Sequence, residues 1–155
     1  DFYLWDTPGM LWPKIIVPQT GYNLAACGSV GRNAYDEELV ALELLLYLQK
    51  HYARMLDERY KLGLEDAEIA ELHDDELLGL IGKKRGAVMG GGRINMQKAA
   101  ELLITDFRTQ MIGRITLETP PEFEQWRAAG EAAEAAAKAR KAEHEKHRKA
   151  GRKRY

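Results

Sequence analysis

Asp1-Phe2-Tyr3-Leu4-Trp5-Asp6-Thr7-Pro8-Gly9-Met10 is the stretch on which the reading of this chain turns. Four aromatic or apolar residues, Phe2 to Trp5, run up to Asp-x-x-Gly, which predicts a buried strand over 2–5 that ends in a loop. A strand end of this kind can present a carboxylate to Mg²⁺ and a backbone N–H to a γ-phosphate, as in P-loop nucleoside triphosphatases. Thr7-Pro8-Gly9 is also ordinary turn chemistry, so the tetrapeptide alone leaves a plain turn open.

The rest of the 155 residues constrains that choice. No Gly-x-x-x-x-Gly-Lys-Ser/Thr and no Asn-Lys-x-Asp occurs, and Gly28-Ser29-Val30-Gly31 lacks the lysine of a phosphate loop. If Asp6 to Gly9 is a switch, the phosphate loop and the base-reading motif must precede it, which is a permuted motif order. Met10 occupies the position where many GTPases carry a water-orienting glutamine, and its side chain cannot orient water.

Composition allows one modest core: 45% of residues are hydrophobic and 30% charged. The net charge of −1 hides an asymmetry, because residues 138–154 hold nine Lys/Arg against two acids. An acidic body with a basic arm suits an interaction tail. The single cysteine, Cys27, excludes an internal disulfide and suits a reducing compartment. No apolar run is long enough to span a bilayer and no signal peptide is evident, so a cytoplasmic protein without a membrane partner, and a monomer, is expected. The chain begins with Asp inside an expected strand, which suggests a piece of a longer protein.

In order along the chain, Gly21 to Gly31 predicts a short helix or strand. Asn33 or Asp36 caps a helix whose apolar face is Leu39, Leu42, Leu45, Leu46 and Leu48, ending near Lys50-His51. Residues 52–60 predict a short helix with Met55 and Leu56 inward. Asp74 caps another that ends at Lys83-Lys84-Arg85-Gly86. Gly90-Gly91-Gly92 predicts a flexible loop, and Asn95 caps a helix with Ala99, Leu102, Leu103 and Phe107 on one face. Gly113 to Glu118 is extended, and Pro120-Pro121 stops it. Ala128 to Lys149 has high helix propensity without a sustained apolar face, so it predicts a solvated helix or a disordered arm. Tyr47, Tyr52 and Tyr60 are expected to be half-buried with wet hydroxyls. His144 and His147 stand three apart, but their basic neighbours disfavour a cation site.

Asp6-Thr7-Pro8-Gly9-Met10-Leu11-Trp12-Pro13-Lys14, Gly28-Ser29-Val30, His51-Tyr52, Glu58-Arg59-Tyr60, Gly82-Lys83-Lys84-Arg85-Gly86, Gly91-Gly92-Arg93-Ile94, Phe107-Arg108 and Gly113-Arg114-Ile115-Thr116-Leu117-Glu118 resemble the circularly permuted ribosome-assembly GTPases of the RbgA (YlqF) type. The similarity covers roughly residues 1–120. The resemblance implies a mainly α chain: a remnant of a P-loop GTPase α/β domain over 1–50, an ANTAR-like helical RNA-binding domain over 51–120, and a basic helical or disordered tail over 121–155. It implies GTP and Mg²⁺ as ligands, with Asp6 in the metal shell, Gly9 at the γ-phosphate and Thr7-Pro8 shaping switch II. It implies the large ribosomal subunit precursor and its rRNA as partners.

Lys83, Lys84, Arg85, Arg93, Arg108 and Arg114 flank glycine-rich turns, where backbone can approach phosphate closely and cations neutralise it. These six are the expected RNA-binding residues. Without the upstream motifs, the 155 residues by themselves are expected neither to bind nor to hydrolyse GTP. A stand-alone RNA-binding or interaction module, with Asp6 to Gly9 as a mere turn, is the competing reading. An antitermination RNA binder rests on the ANTAR analogy alone.

Overall fold

A computed structural model describes residue 15 and residues 17–152, with side chains as far as 145. Seven α-helices make up the regular structure: α1 (Pro18–Ala26), α2 (Glu37–His51), α3 (Ala53–Tyr60), α4 (Asp66–Glu71), α5 (Asp74–Lys84), α6 (Met96–Arg108) and α7 (Pro120–Arg152). Among the described residues there is no strand, and one isolated antiparallel bridge joins Val88 to Ile94. The chain is mainly α, as expected. The expected strand over 2–5 lies outside the described residues. Gly113 to Thr116, expected to be extended, has no regular secondary structure, and Gly113 lies at φ 139°.

Two compact units divide the chain, and Tyr22–Leu117 carries the core. α2 is its central element, packing on α3, α4, α5 and α6. Asp36 starts α2 by accepting the Leu39 N–H at 3.0 Å, and Glu37 and Glu38 follow in the first turn, where acids favour the helix dipole. Asn33 instead sits in a 3-10 turn, Arg32–Ala34. The buried face of α2 is Val40, Ala41, Leu44, Leu45, Leu48 and Gln49. That corrects the expected stripe, because Leu39 and Leu46 are 45% and 46% exposed. With six leucines among the fifteen residues of α2, several phases fit a 3.6-residue period, and only the packed neighbours select one.

Gln49 is the polar member of that face. Its Nε2 donates to the Ile69 carbonyl at 2.5 Å and the Leu72 carbonyl at 2.6 Å, which ties the end of α4 to α2. α4 itself was not expected. It is six residues long, apolar inward only at Ile69, and begins with a capping box between Glu65 and Glu68.

α5 and α6 cross closely because Gly82 has no Cβ. A Cβ there would lie 2.8 Å from the Ala99 Cβ and 3.0 Å from the Ile94 Cγ2. Asn95 caps α6 through the Lys98 N–H at 3.0 Å. The α5 cap is His73, one residue before the expected Asp74.

α7 belongs to the second unit. It begins at Pro120, so the two prolines start a helix here, where a missing N–H costs nothing. Thr119 and Glu122 form the cap: the Thr119 N–H and Oγ1 both donate to Glu122 Oε2, at 3.0 and 2.6 Å. Its less exposed positions recur at Phe123, Trp126, Gly130, Glu134 and Ala137, a sparse stripe along the helix.

Candidate nucleic-acid interface

The structure separates the six expected cations into two groups. Lys83, Lys84, Arg85 and Arg93 surround the α5–α6 connection, at the N-terminal end of α6. Arg108 and Arg114 stand at or beyond its C-terminal end. Thirteen residues at 1.5 Å rise separate the two ends by about 20 Å.

The first group is built on an ordered turn. α5 ends with Lys83 and Lys84 in its last turn, where cations complement the helix dipole, and Gly86 reverses the chain at φ 73°. The connection is then closed by backbone hydrogen bonds. Ala87 N–H donates to Gly82 O, Met89 N–H to Arg93 O and Asn95 N–H to Ala87 O, each at 2.8 Å. The Gly90–Gly92 stretch, expected as a flexible loop, is a 3-10 turn at the tip of this closed structure. Lys83, Lys84 and Arg93 are exposed, and the tip also exposes Val88 and Met89. Arg85 is partly engaged, with Nη2 3.8 Å from Asp106 Oδ1.

Arg108 has a different occupation. Its Nε donates to the Ala26 carbonyl at 2.8 Å, and its Nη2 to the Ala25 carbonyl at 2.6 Å and to the Tyr35 hydroxyl at 3.1 Å. α1 ends in a Schellman turn: Ser29 N–H donates to Leu24 O at 2.9 Å and Gly28 N–H to Ala25 O at 3.0 Å. Gly28 is the left-handed residue, at φ 83°, and a Cβ on it would meet Arg108 Nε at 3.4 Å. Gly28 therefore stops a helix and admits a guanidinium. The N–H groups of Gly28 and Ser29 are already bonded to α1, which agrees with rejecting this stretch as a phosphate loop.

α6 ends in the same way. Met111 N–H donates to Asp106 O at 2.8 Å and Gln110 N–H to Phe107 O at 3.0 Å, but here the left-handed residue is Gln110, at φ 58°. Beyond it, the chain is held by Tyr52, whose hydroxyl accepts the Thr116 N–H at 3.1 Å and lies 3.2 Å from the Thr116 carbonyl. Next to this turn a cavity of about 560 Å³ opens, lined by Cys27, Phe107, Arg108, Gln110, Gly113, Arg114 and Ile115.

Between the two groups lies a charge cluster that sequence reasoning did not single out. Asp106 is 7% exposed and takes both donors of Arg59, Nη2 at 2.8 Å and Nε at 3.0 Å. The hydrogen bond to Asp106 raises the Arg59 pKa further above its usual value. Tyr60 beside them is buried, contrary to expectation, and its hydroxyl makes no well-formed hydrogen bond among the described residues. Burial first, and then the Asp106 charge, push the phenol well above its usual pKa. One signal was available: Asp106 is the single acid near the otherwise apolar face of α6.

His73, Asp74 and Asp75 bring potential metal ligands together at the start of α5. Their visible work is local. Asp74 and Asp75 accept the N–H groups of Asp75 and Glu76, and the hydrogen bond from His73 Nδ1 to Asp75 raises the imidazole pKa. The expected metal residue Asp6, with Thr7, Pro8 and Gly9, lies outside the described residues. No phosphate cradle for GTP is built from the described ones.

No protein-family model matches the chain. Over 125 residues it is 40% identical to ribosome biogenesis GTPase A of Priestia megaterium, covering 81% of this chain and 42% of that protein. The chain is of the RbgA type. The Bacillus cereus ribosome biogenesis GTPase A is 41% identical over 123 residues, covering 79% of the chain and 40% of its own length. The mitochondrial ribosome-associated GTPase 1 of Bos taurus is 31% identical over 136 residues, covering 84% and 40%. The chain thus spans about two-fifths of the length of the curated relatives it matches. Within this RbgA-type chain, Arg108 holds α1 and Arg85 leans on Asp106, while Lys83, Lys84, Arg93 and Arg114 pair with no acid among the described residues. No helix among those residues is long and apolar enough to cross a membrane.

Proposed function

We propose that this chain supplies two parts of a GTPase acting late in assembly of the large ribosomal subunit: switch II and an rRNA-contacting helical unit. Asp6, Thr7, Pro8 and Gly9 are the switch residues toward GTP and Mg²⁺, supported by the motif and by homology to the RbgA type. Lys83, Lys84, Arg85 and Arg93 form the main rRNA contact, with Arg114 at a second point. Arg108 serves by holding α1 in place. The cytoplasm, the site of bacterial ribosome assembly, is the compartment this reading implies.

The observation that carries the RNA reading is the α5–α6 turn. Its backbone is fixed by Gly82, Gly86 and three short hydrogen bonds, and it holds exposed lysines and Arg93 without acidic partners. Fixed cations without counter-charges favour phosphates and release counterions on binding. Recognition is by RNA shape and backbone more than by sequence.

The test is a salt titration of binding to precursor large subunits or to their rRNA. Lys83→Ala with Lys84→Ala removes two cations, so the slope of log K against log salt should flatten by about 1.4 to 1.8. An unchanged slope refutes the assignment.

A further inference from the structure

The two helix ends that flank the cavity beyond α6 are built alike but from different residues. At the α1 end the left-handed position is Gly28, which adopts φ 83° without steric cost. At the α6 end it is Gln110, at φ 58°, where a side chain is disfavoured by roughly 1 kcal/mol. Gln110 lines the cavity, and its side chain carries an amide. An amide both donates and accepts, which is what the edge of a nucleobase requires.

The other walls suit the same occupant. Phe107 and Ile115 supply aromatic and apolar surface, and Arg114 supplies a cation. Neither the Gln110 amide nor the Arg114 guanidinium has a hydrogen-bond partner among the described residues. The wall is also preformed. Gly113 lies at φ 139° with its Cβ position 3.1 Å from the Met55 sulfur, and Tyr52 pins Thr116 just beyond. A volume of about 560 Å³ falls in the range of small-ligand sites and exceeds what one base needs. An aromatic and an aliphatic side chain, an amide, and one cation besides the Arg108 already engaged with α1 match a single unstacked nucleotide, the form in which RNA exposes base edges to protein.

We propose that this cavity receives one unstacked base of single-stranded RNA, with Gln110 reading the base edge and Arg114 meeting its phosphate. The proposal rests on the RNA-contact reading above and adds a base-contacting point at the C-terminal end of α6, whereas the phosphate-contacting turn precedes its N-terminal end.

Gln110→Gly tests it without endangering the fold, because glycine relieves the left-handed strain. The variant should unfold at the same or a higher temperature than wild type. Binding of the 155-residue chain to poly(A), poly(C) and poly(U) is measured by fluorescence anisotropy across a salt series. Wild type should prefer one homopolymer. Gln110→Gly should bind that one about two- to tenfold more weakly, the loss expected for one hydrogen-bonding side chain, and lose the preference. Its salt slope should not change, because no charge is removed. Lys83→Ala with Lys84→Ala should do the reverse, flattening the slope and keeping the preference. Wild type that binds all three equally, or a preference that survives in Gln110→Gly, overturns the base pocket while leaving the phosphate reading intact. Failure of wild type to bind any of them at low salt refutes both. Free nucleoside monophosphates should not compete at the concentrations where the strand binds. Equal affinity for a free mononucleotide would overturn the assignment to an RNA strand.

Discussion

Asp106→Ala is the perturbation that most directly tests how the helical unit is held together. The Asp106 side chain is 7% exposed and that of Arg59 is 18% exposed, and two hydrogen bonds of 2.8 and 3.0 Å join them. Arg85 adds a third, longer interaction at 3.8 Å. Removing the carboxylate leaves a mostly buried guanidinium without its acceptors. Stranding one partner of a buried pair costs about 3–5 kcal/mol. The residual exposure of Arg59 lets water reach it, so the low end, about 3 kcal/mol, is expected. Domains of this size have only about 5–15 kcal/mol of stability in all. At roughly 4–8 °C per kcal/mol, the midpoint should fall by about 12 °C or more. Urea and thermal unfolding followed by far-UV circular dichroism measure this. Replacing both partners, with Arg59→Met and Asp106→Leu, should recover most of the loss, because no buried charge is then left without a partner and Arg85 is exposed to water. A single-variant loss below about 1 kcal/mol would show that the pair is solvent-screened and that the cluster does not hold the helices.

Two further predictions concern packing and pH. Gly82→Ala places a methyl 2.8 Å from the Ala99 Cβ, so it should destabilise by about 1–3 kcal/mol, and adding Ala99→Gly should restore part of that; equal stability of the two variants in urea would refute the close-approach argument. Tyr60→Phe deletes a buried hydroxyl without a sound hydrogen bond, so it should be neutral or slightly stabilising at pH 7. Because the folded-state phenol pKa is raised, the unfolded chain loses its proton first above about pH 10, and wild-type stability falls from there as pH rises. The advantage of Tyr60→Phe should therefore grow above pH 10, which a pH series of urea midpoints will show. A loss above about 1 kcal/mol at pH 7 would mean the hydroxyl has a partner.

Much of the local architecture was legible because it is local. Asp36 and Asn95 are short polar residues before apolar-periodic runs, and both cap helices as expected. Gly86 follows Lys83-Lys84-Arg85 and turns the chain just past the end of α5. Elements below the length at which periodicity speaks were missed: α4 shows one apolar inward residue, and its cap uses glutamate where serine or aspartate is commoner. The Thr119-to-Glu122 cap was there to be read, but the following prolines suggested a stop. Of the expected RNA residues, the cations of the α5–α6 turn stand exposed, whereas Arg108 caps a helix distant in sequence.

By itself, the sequence determined the family, the helical class, the caps and the acidic-body, basic-tail asymmetry, because those depend on residues a few positions apart. The tertiary structure decided which leucines of α2 turn inward, why position 82 must be glycine, and that Arg59 and Asp106 form a pair. It also decided that Gly28 serves Arg108 eighty residues away, and that Gln110 and Arg114 share a cavity. Each of these depends on which surfaces meet when the helices pack, and neighbouring positions in a sequence carry no record of that.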